Sequence, residues 1–242
     1  MSPTPSLRPT AFQACMIDLD GTLVDTLGDF DLALNDALRQ LGLPALTREQ
    51  IGLMVGKGSD HLVHSALVAC TGAAAPDAAL HARTMALYQA AYERINGQAS
   101  QVYPGVVEGL QQLAAQGVAL ACLTNKPLVH ARKLLAVKGL DRYFAHTFGG
   151  DSFARKKPDP LPLLETCRAL GTAPERTVMV GDSSNDAAAA RAAACPVVLV
   201  RYGYNHGRPI TEVDADAYID RLDELAAWLA PRGQHQTSLQ ET

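Results

Sequence analysis

Two carboxylates stand one residue apart at the end of an apolar run, Asp18 and Asp20 in the stretch Ala14-Cys15-Met16-Ile17-Asp18-Leu19-Asp20-Gly21-Thr22. Side chains at i and i+2 of a strand share a face, so this spacing brings both acids together where the strand stops. Acids this close repel, and a cation between or beside them holds them ionised most readily. One chemistry suits such a pair. A carboxylate can attack phosphorus to form a phospho-aspartate, and a magnesium ion can neutralise the oxygens around the reacting group. The second acid can then protonate the leaving oxygen and later deprotonate water. The same residues also make an acidic turn, since Asp and Gly favour turns on their own account, so the rest of the chain must decide.

Other polar groups also follow apolar runs directly. Thr124-Asn125 comes after 118–123, and Gly181-Asp182 after 177–180. In an open parallel sheet, ligands sit beyond the carboxyl ends of the strands, so three such groups at one sheet edge form a candidate site. Thr124 either offers its hydroxyl to a phosphoryl oxygen or caps the helix that follows. Lys157, in Arg155-Lys156-Lys157-Pro158-Asp159-Pro160, is either aimed by a proline-stiffened loop or solvated with its basic neighbours. Asp182 supplies a third carboxylate. Asp186 either supports the acids from behind or is a first-turn acid favoured by the helix dipole. Lys57, between Gly56 and Gly58, either receives a substrate carboxylate or marks a helix break. His61 and His64, one turn apart without a third ligand, read as a polar face.

The elements that must position these residues follow from periodicity. Residues 27–100 carry helical spacing throughout, with Thr47 to Gln50 as a capping box, and contain no convincing strand. From 101 on, helices at 106–116, 128–138, 161–170, 186–194 and 222–229 alternate with strands at 118–123, 146–148, 177–180, 197–200 and 217–219. Short buried strands alternating with helices imply a doubly wound α/β fold, a parallel sheet covered on both faces. The expected division is a core of 11–26 and 101–230, an all-helical cap of 27–100 inserted after the first strand, and loose termini at 1–10 and 231–242.

Composition bounds the partners. The 242 residues, 48% hydrophobic with a formal net charge of −4, have no basic footprint for nucleic acid. No apolar run is long enough to cross a membrane, and the polar, proline-containing N-terminus lacks a signal-peptide pattern. Five scattered cysteines without a C-x-x-C pair predict free thiols in a reducing compartment, the cytoplasm.

Taken in order, Asp18-Leu19-Asp20-Gly21-Thr22, Thr124-Asn125, Lys157-Pro158 and Gly181-Asp182-Ser183-Ser184-Asn185-Asp186 resemble the four motifs of the haloacid dehalogenase superfamily. Within it, Asp25-Thr26, Gly56-Lys57-Gly58 and the 202–207 segment are similar to the bacterial phosphoglycolate phosphatases. The resemblance implies Asp18 as nucleophile and magnesium ligand, and Asp20 as general acid/base lending its backbone carbonyl to the metal. It implies Asp182 as the third protein ligand with Asp186 behind it. Thr124, Asn125 and Lys157 would hold the phosphoryl oxygens. The substrate would be 2-phosphoglycolate, its carboxylate taken by Lys57 from the cap, and the enzyme would act as a monomer or homodimer. Departures narrow the reaction. The dehalogenases are not expected to have an acid at the position of Asp20, and the hexose-phosphate mutases tend to place Glu where Gly181 stands. A phosphatase for another small phosphate, such as a sugar phosphate, a mutase, and a non-catalytic phosphate binder stay as alternatives.

Overall fold

The computed structural model describes residues 12–230; the expected loose termini lie outside the described residues. Six parallel strands form one sheet in the order β5-β4-β1-β6-β7-β8. They are β1 (Ala14–Ile17), β4 (Ala119–Leu123), β5 (His146–Phe148), β6 (Thr177–Gly181), β7 (Val197–Val200) and β8 (Ala217–Ile219). β1 pairs with β4 on one side, Ile17 opposite Cys122, and with β6 on the other, Ile17 opposite Val180. The chain therefore moves outward through β4 and β5, then returns across β1 to begin again at β6. That reversal makes the end of β1 the switch point, where a crevice opens in sheets of this kind.

The apolar run of β1 reflects burial on both faces. Cys15 and Ile17 join one apolar cluster with Val178, Val180, Leu110 and Leu134, while Met16 joins the other with Met179, Leu163 and Ala190. The flanking helices are α5 (Val106–Ala115), α6 (Leu128–Val137), α7 (Leu161–Leu170), α8 (Ser184–Ala192) and α9 (Leu225–Leu229). Two differ from expectation. The run expected as one helix over 222–229 is a 3-10 turn, Leu222–Glu224, before α9. α8 starts two residues earlier than its alanine pattern implies, because Asp186 accepts hydrogen bonds from the Ser183 amide and hydroxyl (3.2 and 2.7 Å) and so closes the helix start.

Between β1 and α5 lie four helices, α1 (Leu27–Gln40), α2 (Arg48–Gly52), α3 (Ser59–Thr71) and α4 (Ala78–Ile95). The Thr47–Gln50 capping box opens α2. These helices bury their own apolar cluster, including Leu34, Leu38, Ile51, Leu67, Tyr88 and Tyr92. A feature absent from the sequence reading joins this layer to the sheet. β2 (Val24–Asp25) and β3 (Gln101–Val102) form an antiparallel ribbon where the chain enters and leaves the helices. Two-residue strands are too short to show a period. Beside the ribbon, the fully buried Asp29 accepts hydrogen bonds from the amides of Gly97 (2.8 Å) and Ala99 (2.7 Å), tying the start of α1 to the returning chain.

Candidate active site

The sheet edge at β1 and β6 gathers four charged side chains from three separate stretches of the chain. Asp18 Oδ1 accepts the Leu19 amide at 2.8 Å and lies 3.2 Å from Lys157 Nζ. Among the described residues its Oδ2 makes no hydrogen bond. Burial pushes the Asp18 carboxyl up to about 6, while the Lys157 ammonium pulls the other way. Lys157 also donates to Asp186 Oδ1 (2.7 Å) and to the Leu123 carbonyl at the end of β4 (2.8 Å). Burial alone would lower Lys157, but Asp18 and Asp186 outweigh it and hold the ammonium above its ordinary range. Asp186 thus has two jobs, anchoring Lys157 through one oxygen and closing the α8 start through the other.

Asp182 completes the group. Its Oδ1 accepts the Thr22 hydroxyl (3.2 Å), and its Oδ2 accepts the Tyr204 amide. Burial first, then the charges of Asp186 and Asp18, raise its carboxyl well above the ordinary range. Access to Asp182 depends on Gly21, which sits at φ +88°, and a Cβ there would lie 2.2 Å from Asp182 Oδ2. At Gly181 a Cβ would lie 2.3 Å from the Asp186 carboxyl carbon. The two glycines let the acids approach the backbone turn at this edge.

Thr124 is buried at the end of β4, its hydroxyl accepting the Lys126 amide (3.2 Å). The Asn125 side chain donates to the Lys157 carbonyl (2.9 Å) and to the Gly56 carbonyl (3.2 Å), linking the core loop to the helical layer. Asp20 is turned to Lys126, whose Nζ lies 2.9 and 3.1 Å from its two oxygens. That ammonium also donates to the Tyr92 hydroxyl (2.6 Å) and sits 4.7 Å from the ring centres of Phe30 and Tyr92. Lys126 is 5% exposed, so this cation is committed to the site.

A cleft between sheet edge and helices, with about 480 Å³ of empty space, is lined by Asp18, Asp20, Thr124, Asn125 and Lys126 from the core. Phe30, Val55, Gly56, Leu62, Tyr88 and Tyr92 line it from the helices. Lys57 is not brought there. Its flanking glycines line the cleft, while its own side chain is exposed and lies near the His61 and His206 rings. The expected carboxylate ligand from the helices is therefore absent from the cleft, and the buried cation facing it is Lys126, which sequence reasoning passed over. Its place directly after Thr124-Asn125 was the available signal. Tyr204 was also missed. Its hydroxyl bonds Asp25 and accepts the amides of Thr26 (3.0 Å) and Leu27 (3.2 Å) at the start of the helical layer.

The acids suit a metal ion. Asp18, Asp182 and Asp186 each offer an oxygen within 4.8 Å of the others. Asp18 and Asp186 share the Lys157 ammonium while the buried Asp182 has no ion pair among the described residues, leaving an excess of negative charge that a hard, oxygen-preferring cation would neutralise.

A doubly wound sheet with an acid cluster and a lysine at its switch point, under inserted helices, is a metal-ready acid site on an open α/β fold. The model of haloacid dehalogenase-like hydrolases matches residues 12–194, and the chain belongs to that family. It is 44% identical over 220 residues to a phosphoglycolate phosphatase of Thiobacillus denitrificans, covering 90% of this chain and 96% of that one. A plasmid-encoded phosphoglycolate phosphatase of Cupriavidus necator is 44% identical over 218 residues, covering 90% and 93%. The crystal structure of a predicted phosphoglycolate phosphatase from Haemophilus somnus superposes with a TM-score of 0.87 at 34% identity, covering 91% of this chain and 99% of that one. The chain is thus a hydrolase resembling the phosphoglycolate phosphatases. Phosphatases of this family are metal-dependent, and the acid cluster could hold such an ion. Among the described residues no helix is long and apolar enough to cross a membrane.

Proposed function

We propose that this chain hydrolyses 2-phosphoglycolate to glycolate and inorganic phosphate through a phospho-aspartate on Asp18. The observation that carries the reading is the free Oδ2 of Asp18 at the mouth of the cleft, beside Lys157 and the other two acids. Asp18 Oδ2 forms the bond to phosphorus as the bond to the leaving oxygen breaks. Asp20, entering the step protonated, gives that oxygen its proton, then takes one back from the water whose attack releases phosphate and restores Asp18. The Thr124 hydroxyl and Lys157 ammonium meet the phosphoryl oxygens, Lys157 being held on station by Asp186. Asn125 joins them through its backbone, since its side chain is occupied by the Lys157 and Gly56 carbonyls. Asp18, the Asp20 carbonyl and Asp182 would hold Mg2+, which supplies charge neutralisation around the phosphoryl group.

The inserted helices, 27–100, act as a cap over the core of 11–26 and 101–230, excluding bulk water when closed. The enzyme works in the cytoplasm, as a monomer or homodimer. The test is phosphate release with magnesium from 2-phosphoglycolate, glycerol phosphate, and pentose and hexose phosphates. The expected result is a kcat/KM for 2-phosphoglycolate at least about tenfold above the others, abolished by EDTA. A sugar phosphate at the head of the series refutes the substrate.

A further inference from the structure

We infer that Lys126 is the residue that binds the substrate's carboxylate, and that it holds Asp20 aside until that carboxylate arrives. This deepens the phosphatase reading above and rests on it. Of the described residues lining the cleft, Lys126 alone carries a lysine or arginine charge. A substrate with phosphate at one end and carboxylate at the other needs a cation across the cleft from Asp18. Lys157 is already shared between Asp18 and Asp186. Lys57 is exposed and outside the lining.

The surroundings of Lys126 are those of a built anion subsite. A lysine 5% exposed must be compensated for lost hydration, and here the compensation is made of replaceable and permanent parts. Phe30 and Tyr92 face the ammonium at 4.7 Å each, which supports its charge without consuming an N–H donor. The Tyr92 hydroxyl takes one donor at 2.6 Å. The rest go to the two oxygens of Asp20, at 2.9 and 3.1 Å. Another carboxylate can take the place of that one.

The exchange fits the reaction. In 2-phosphoglycolate a single carbon separates the carboxylate from the leaving oxygen. A carboxylate held by Lys126 puts that oxygen beside Asp20, the group that must protonate it. Displaced from the ammonium, Asp20 can take a proton from solvent and rotate toward the leaving oxygen. Lys126 comes from the core, while Phe30 and Tyr92 come from α1 and α4. The subsite is therefore complete only when helices and core meet, which ties recognition of the carboxylate to closure.

The experiment compares the wild-type protein with Lys126→Met and Lys126→Arg on 2-phosphoglycolate and on ethyl phosphate, which lacks the carboxylate. It also measures competitive inhibition by 3-phosphonopropionate and by propylphosphonate. Lys126→Met is expected to reduce the ratio of the two kcat/KM values by about 100-fold, mostly through KM for 2-phosphoglycolate. It should also erase the advantage of 3-phosphonopropionate over propylphosphonate. Lys126→Arg should keep part of both, which a purely structural role would not explain. A wild-type protein with no preference for 2-phosphoglycolate overturns the substrate reading and this inference with it. A clear wild-type preference that survives Lys126→Met overturns the role of Lys126 alone. Should Lys126→Met fail to fold, a Tyr92→Phe variant with unchanged KM for 2-phosphoglycolate overturns it as well.

Discussion

The sheet edge and the helical side of the cleft are held by different forces. At the edge, charged groups are buried and fastened by short polar contacts. Asp186 closes its own helix start, Leu19 binds Asp18, and Lys157 reaches the end of β4. On the helical side the walls are Phe30, Val55, Leu62, Tyr88 and Tyr92, which belong to a separate apolar cluster or pack in it. The β2–β3 ribbon, the Tyr204 hydroxyl at Thr26 and Leu27, and the bonds of Lys126 to Tyr92 and Asn125 to Gly56 tie that layer to the edge. On the reading proposed above, the edge sets the reaction and the helical wall selects the molecule. A rigid polar cluster can position reacting atoms, while a separate apolar layer can open and close over them.

The sharpest break in this comparison is Asp18→Asn. It should lower kcat by about 10^4-fold or more while the melting temperature holds or rises, because a neutral amide relieves the crowding among buried acids. Phosphate release and calorimetry measure the two. Lys157→Met should harm both stability and rate. It strands Asp186 and Asp18, and removing one partner of a buried pair costs about 3–5 kcal/mol. Urea unfolding reads this, and an unchanged midpoint would refute the anchoring role of Asp186.

A third effect appears in the metal-free protein. Asp18 has an ordinary value of 3.8 and is raised to about 6 in the folded state. Between these values the folded protein holds a proton that the unfolded chain has released. Its stabilising contribution is therefore full below about pH 4 and lost as pH rises through about 6, a change of at most about 3 kcal/mol. In EDTA, the stability of wild type relative to Asp18→Asn should fall across that window, and magnesium at neutral pH should restore it. A flat difference would contradict the buried-acid account. On the helical side, Asp29→Ala should cost about 2 kcal/mol by stranding the Gly97 and Ala99 amides, and raise KM more than it lowers kcat. The smallest effect is expected for Lys57→Ala, a change of less than about twofold in kcat/KM for 2-phosphoglycolate. A large rise in KM there would return the carboxylate to the exposed loop and dissolve the contrast between the two regions.

Much of the core was legible because its signals are local. The apolar runs at 14–17 and 197–200 coincide with β1 and β7, since strands buried on both faces need unbroken apolar sequence. Asp18 and Asp182 were legible for the same reason, standing at the ends of such runs. The start of α8 was misjudged because the alanine pattern hides the Ser183–Asp186 closure, and the β2–β3 ribbon because two residues carry no period.

The sequence by itself determined the strands, the helices and the acids at their ends, because side-chain direction along one element follows from its period. Only the tertiary structure decided which lysines serve the site. Lys126 and Asp20 are 106 residues apart in the chain, and Lys126 and Tyr92 are 34 apart. Lys57, although framed by glycines that line the cleft, ends in solvent. A long, flexible cation goes wherever buried carboxylates and aromatic rings from other segments best replace its water, and that competition is settled only when core and helices pack together.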